Sequence, residues 1–306
     1  MAQAISTDPE QAFMPMAATR RAAASNWLLL LRRNPLGAAG LLILLVIAVA
    51  AVGASVVAPY SPSDPAFSSL KGPTWSHPFG TDLLGRDVFS RVIFGARISL
   101  TVGFGSVIIG ILGGTVIGLA SGYLGGWVDQ VLQRITDVLL AFPLIILAIF
   151  IAAVSGQGLW KSVFVLGVAI TPAVARVVRG SVLSEKTRDY VQAARAAGAG
   201  ETRIMIQHIL PNVSAPIVVL GTTLLSVAVL AEASLSFLGI GVPASTASWG
   251  GDLSGNARTY FEIAPWMAIF PGLALTLTVL GLNFLGDALR DVLDPRLQRE
   301  MMRRNV

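Results

Sequence analysis

Six apolar runs, each close to the length of a bilayer crossing, decide what this chain can fold into. They span approximately Leu36–Ala58, Leu100–Ser121, Val131–Val154, Lys161–Val178, Val213–Leu238 and Ile263–Leu285. A helix needs about 20 apolar residues to cross the hydrocarbon core. Inside lipid the backbone must satisfy its own hydrogen bonds, so runs of this kind predict helices. The predicted fold class is therefore all-α, a polytopic membrane protein with six transmembrane helices. Only 13% of residues are charged, against about 25% in soluble domains. There is no cysteine, which excludes a disulfide framework and thiolate metal ligation, and two well-separated histidines make no metal site.

The net charge of +5 does not point to nucleic acid, because the basic residues flank apolar runs, as they do when they set membrane orientation. Arg20, Arg21, Arg32 and Arg33 precede the first run. Arg176, Arg179, Lys186, Arg188, Arg195 and Arg203 surround the central polar segment, and Arg290, Arg296, Arg299, Arg303 and Arg304 follow the last run. All lie on one side, which predicts cytoplasmic termini and a cytoplasmic central loop. The chain then divides into a tail (1–35), a first span (36–58), an extracytoplasmic segment (59–99), a five-helix core (100–287) and a second tail (288–306). Residues 1–26 lack apolar periodicity and are expected to be disordered, with Trp27 and the Arg32–Arg33 pair anchoring the first span. A cleaved signal sequence is the alternative for that span. Its length exceeds a signal core, and cleavage would leave five spans.

The central loop, residues 181–212, is the one long polar stretch between apolar runs. It reads as helix, break, helix. Ser184 is expected to cap the first helix, with Glu185 in its first turn. Gly198 supplies the left-handed residue that ends it. Glu201 starts the second helix and Pro211 is expected to close it. Ala193, Ala194 and Ala197 give the first helix a flat surface of small side chains, and Ile204, Met205, His208 and Ile209 share one face of the second. Such a segment could rest on the lipid interface or dock a partner.

Other stretches carry narrower expectations. Residues 80–97 read as an amphipathic helix lying on the outer membrane surface, with Val88 toward lipid and Arg91 toward water. Gly110, Gly114, Gly118 and Gly122 recur every fourth residue and form a small-residue packing seam for another helix. Arg134 and Asp137 are spaced to pair on one helix face. Pro143 and Pro172 are expected to kink the third and fourth spans. Glu232 is the one carboxylate deep in the fifth run. A mid-bilayer carboxylate costs about 2.5–3.5 kcal/mol on insertion scales, so it should face protein or a cavity, either lining or gating a pathway or making a structural hydrogen bond.

The pattern Gln192-Ala193-Ala194, three residues, Gly198, nine residues, His208-x-Leu210-Pro211 resembles the EAA signature of binding-protein-dependent ABC permeases. Gln192 stands for the signature Glu and His208 for its Ile. The segments Gly80-Thr81-Asp82, Gly85-Arg86-Asp87, Leu235-Ser236-Phe237-Leu238-Gly239 and Ser248-Trp249-Gly250 are similar to those of the C-type subunit of the dipeptide, oligopeptide and nickel branch. A Pro-rich block of that branch is reduced here to Pro243. The resemblance covers about residues 30–297. It implies the type I ABC importer permease fold and a coupling role for Gln192, Ala193, Ala194, Gly198, His208, Leu210 and Pro211. It also implies a bacterial or archaeal inner membrane, a second homologous permease, two ATP-binding subunits that hold ATP and Mg, a solute-binding protein, and a di- or oligopeptide cargo.

No phosphate-binding GxxxxGK[ST] loop occurs, because none of Lys71, Lys161 and Lys186 follows a glycine. No nucleophile, base and acid form a set, so no catalytic residue and no bound cofactor are expected. The rival functions are a proton-coupled secondary carrier using Glu232, which should show inverted repeats that are not found, and a structural membrane scaffold.

Overall fold

The computed structural model describes residues 34–65 and 67–293, so the anchors Trp27, Arg32 and Arg33, the other N-terminal arginines, Asp294 and the last four arginines lie outside the described residues. Among the described residues the regular secondary structure is all helical apart from one isolated bridge, Thr81 to Asp87. Five helices are long and apolar enough to cross a membrane: α1 (Pro35–Val52), α2 (Val88–Leu124), α5 (Leu159–Glu185), α7 (Glu201–Phe237) and α9 (Trp266–Leu293). Between α2 and α5 the predicted third span is two helices, α3 (Gly126–Leu140) and α4 (Leu144–Ser155), bent by 94°. Pro143 does not kink a continuous helix. It caps α4 after an interruption at Ala141–Phe142, where its missing N–H and the restriction on the preceding residue break the ladder. Pro172, by contrast, is accommodated inside the unbroken α5.

The core is built on the α2–α5 pair. Every glycine of the predicted seam faces α5 at a distance no side chain could share. A Cβ on Gly110 would lie 2.7 Å from Ile170, on Gly114 2.4 Å from Val174, on Gly118 2.6 Å from the Ala175 carbonyl, and on Gly122 2.9 Å from Val182. The partner helix is thus in this chain. Gly167 answers from α5, where a Cβ would meet Ile109 at 2.7 Å. Around this axis Val174, Val178, Val182, Ile204, Ile209 and Val213 form one buried cluster, and Val102, Ala148, Leu166, Ala169 and Leu235 a second nearer the other end.

Other local expectations are overturned. First, α2 begins at Val88, capped by Asp87, and runs unbroken for 37 residues, so residues 88–97 are not a separate surface helix. Val88 and Arg91 are both buried, at 4% and 3% exposure, because a second outer layer covers them. Second, Ser184 caps nothing. It lies inside α5, and the loop helix α6 (Asp189–Ala196) starts at Arg188. Third, Pro211 does not end a helix. The last helix also outruns its predicted end at Leu285 and continues to Leu293.

Candidate functional site

The helix α6 is short, and its sequence explains both ends. Asp189 in the first turn and Arg195 in the last complement the helix dipole. Gly198 has φ +79°. The Gly198 N–H donates to the Arg195 carbonyl at 3.0 Å, and the Ala199 N–H to the Ala194 carbonyl at 3.1 Å. This is the reciprocal pair that terminates a helix at a left-handed residue.

α6 sits on the core through one face. Val191 is fully buried, and Tyr190, Ala194 and Ala199 pack against the same cluster as Ile204 and Ile209. The Tyr190 hydroxyl donates to Glu185 at 2.8 Å. Burial first, and that carboxylate second, push the phenol up to about 12. Gln192, Ala193, Ala197 and Gly198 face outward. The flat small-residue surface is therefore formed by Ala193 and Ala197, while Ala194 turns inward. Ala194 belongs to the seat of α6 rather than to its free face.

Glu201 opens α7, whose first part departs from α-geometry. Ile204–Ile209 is a π-helical segment, with the Leu210 N–H donating to the Met205 carbonyl. Pro211 follows immediately, in the first turn of the α-helical part, Leu210–Phe237. A proline lacks an N–H and crowds the carbonyl four residues back. The wider π turn relieves both demands, which is why the helix passes through Pro211 instead of stopping there. Ile204 and Ile209 point into the core, Met205 and Leu210 pack beside it, His208 is half-buried and Pro211 is exposed.

Glu232 is completely buried. Ser99 of α2 donates to one carboxyl oxygen at 3.0 Å and Ser236 of α7 to the other at 2.8 Å. The Val242 N–H reaches the Ser236 hydroxyl at 3.4 Å. The carboxyl thus faces protein and ties α2 to α7 and to the turn beyond.

The outer layer was not legible from residue spacing. Gly80 and Gly85 adopt positive φ, and a Cβ on Gly85 would fall 2.1 Å from the Phe67 carbonyl. Asp82 accepts from the N–H groups of Leu84 and Arg86 at 2.8 and 2.9 Å and from Arg86 Nε at 2.6 Å. Asp87 accepts from the Ser90 N–H at 2.8 Å and meets His77 Nδ1 at 3.0 Å. Arg91 donates through Nε to Asp252 at 2.8 Å and through Nη1 to the Pro62 carbonyl at 2.9 Å. Trp249, which opens the short helix α8 (Trp249–Asp252) and is 1% exposed, donates to the Val92 carbonyl at 2.9 Å. Through Arg91 and Val92 the start of α2 is stapled to the segment after α7, and Arg91 ties in segment 59–87 at Pro62. On the other side, Arg179 pairs with Asp129 at 2.6 Å and Arg176 with Asp137. The predicted Arg134–Asp137 pair is replaced by these, and Arg134 stands exposed.

Residues 114–299 match the family described as "Binding-protein-dependent transport system inner membrane component", and residues 26–73 match "N-terminal TM domain of oligopeptide transport permease C". The first match alone covers more than half the chain. The chain belongs to the binding-protein-dependent permeases. Among its relatives, the dipeptide transport system permease protein of Alkalihalophilus pseudofirmus is 41% identical over 88% of this chain and 88% of that protein. The glutathione transport system permease protein of Pectobacterium atrosepticum is 44% identical over 89% of this chain and 90% of its own. The inward-facing methionine transporter MetNI shares the fold, with a TM-score of 0.55 at 20% identity, covering 67% of this chain and 96% of that one.

The permease has the type I ABC importer fold and is a multi-pass membrane subunit that works with ATPase subunits and another permease. It binds no cofactor of its own and is not an enzyme, since ATP hydrolysis in this family lies in separate subunits. Nothing in the family or these relatives supports the proton-coupled carrier. Among the described residues no group of three or more His, Asp or Glu is placed to hold a metal.

Proposed function

We propose that this permease pairs with a second, homologous one to form the pathway for a short peptide in the cytoplasmic membrane of a bacterium or archaeon. The observation that carries the cargo is the relatives' own assignment to dipeptides, glutathione and di- or tripeptides at 41–44% identity. A solute-binding protein delivers the peptide at the outer layer held by Arg91–Asp252 and Trp249. Two ATPase subunits bind ATP and Mg on the cytoplasmic side and meet the outward face of α6, Gln192, Ala193, Ala197 and Gly198. Their closure switches the helices between inward- and outward-open arrangements, alternating access driven by a two-state element. In this reading His208, Leu210 and Pro211 shape the loop rather than touch the ATPase, Gly198 also sets the turn that ends α6, and Glu232 holds α2 against α7. Both termini are cytoplasmic. The test is uptake of a labelled dipeptide by proteoliposomes containing the complete complex and its binding protein. Uptake should require ATP inside or outside according to orientation and should ignore an imposed proton gradient. Uptake that persists without ATP would overturn the reading.

A further inference from the structure

The central loop leaves α5 at Lys186 and enters α7 at Glu201. Both ends are held by consecutive residues of one turn, the last of α2. Lys186 Nζ donates to the Gly122 carbonyl at 2.8 Å. The Tyr123 hydroxyl donates to Glu201 Oε2, and Arg195, in the last turn of α6, reaches the same hydroxyl at 3.4 Å. Tyr123 is itself 8% exposed and packs in the cluster that seats α6. Two residues before Tyr123, the Ser121 hydroxyl accepts from Gln133 of α3 at 3.1 Å. Ser121, Gly122 and Tyr123 thus gather α3, the start of the loop, its helix and its end.

From this geometry we propose that Tyr123 is a positioning residue for coupling. It fixes the loop to α2, so that movement of α6 is delivered to the α2–α5 pair. The inference rests on the reading that α6 meets the ATPase. Two features make the attachment matter. The glycine seam ends at Gly122, and backbones this closely packed shift as a unit, because protein interiors have little free volume to absorb displacement. α7, in contrast, carries the π segment Ile204–Ile209 directly beyond Glu201, and such segments mark places where a helix yields. A push on α6 that lacked the Tyr123 attachment would dissipate in that compliant stretch. Glu201 and Arg195 have side chains 61% and 49% exposed, so their contacts add little to stability. Their loss should be read in transmission rather than in folding.

The experiment compares the purified complete complex carrying wild-type permease, Tyr123→Phe, Glu201→Ala, both together, and Gly198→Val. ATPase stoichiometry, melting temperature and peptide transported per ATP hydrolysed are measured in proteoliposomes. Tyr123→Phe removes one oxygen and should leave stoichiometry and melting unchanged while transport per ATP falls roughly fivefold, within the usual range of coupling between sites. Glu201→Ala should fall similarly, and the double variant no further, since the two residues act through one contact. A wild-type ratio in Tyr123→Phe overturns the proposal, as does a loss of ATPase stoichiometry, which would mean a docking role. Gly198→Val separates the two ideas. If it loses the ATPase while Tyr123→Phe keeps its ratio, docking stands and the attachment falls. If Gly198→Val behaves as wild type, the docking reading falls and the attachment with it.

Discussion

Single residues here act through space they do not occupy or charge they cannot shed. Gly114 is the clearest case, since a Cβ there would lie 2.4 Å from Val174 and 2.8 Å from the Ala175 nitrogen. Backbone cannot swing aside as a side chain can, so Gly114→Ala should force α2 from α5. Overpacking of this kind costs about 1–3 kcal/mol. The expected result is a lower melting temperature in detergent, whereas Gly180→Ala, with open space around its Cβ, should be neutral or slightly stabilising. Arg91 is the charged case. Its side chain is 3% exposed and its partner Asp252 10%. Burial pushes the Asp252 carboxyl above its usual range, with Arg91 pulling it back. Removing one member of a buried pair costs about 3–5 kcal/mol, because the other charge is left alone, while removing both costs less. Arg91→Ala should therefore destabilise more than Arg91→Ala with Asp252→Ala, measured as melting temperature of each. Equal destabilisation would mean that the pair contributes through shape and not charge.

Elements divide by whether their cause is local. The left-handed Gly198, the glycine ladder and the positions of the apolar runs were legible because each depends on a few neighbouring residues. The broken third span was not, since hydropathy is continuous across Ala141–Pro143 while the backbone is not. Arg91 was read as water-facing because a helical wheel carries no record of Asp252, 161 residues away. Likewise Asp137 meets Arg176 across helices instead of Arg134 on its own, where an exposed pair is worth only about 0.2–0.5 kcal/mol. Within α6 the consequence is a sharp distinction between strain and clash. Nothing lies within 4 Å of a Cβ on Gly198, so only the backbone angle opposes substitution. Asn tolerates the left-handed region, whereas a β-branched residue does not. Gly198→Asn should retain the ATPase and Gly198→Val should lose it, assayed by co-purification. Loss in both would place the glycine's importance in contact rather than in conformation. Gln192→Glu, on an exposed position, should leave co-purification unchanged.

At the scale of the whole molecule, the two ends of the bundle differ in construction. One end is closed by a cap in which segments 59–87 and 244–271 are tied to each other and to the start of α2 by the Arg91–Asp252 ion pair and by hydrogen bonds from Trp249 and Trp266. The other carries α6, the Arg176 and Arg179 pairs, and most of the basic side chains among the described residues. The proposed orientation, which follows the charge bias, puts the second end in the cytoplasm. The absence of cysteine makes the wild-type chain its own blank for testing this. Gln192 is exposed on α6 and Ser76 is exposed in the cap, so a cysteine at either should leave packing untouched. A membrane-impermeant maleimide should label Ser76→Cys in intact cells and Gln192→Cys only in inverted vesicles. The reverse pattern would invert the bundle and move the cap to the cytoplasm. In inverted vesicles that retain the ATPase subunits, Gln192→Cys should react slowly. Stripping those subunits should speed it severalfold, because the face of α6 that carries Gln192 is the one proposed above to meet the ATPase. Labelling that is fast in both would leave the orientation intact and place the ATPase contact on another surface.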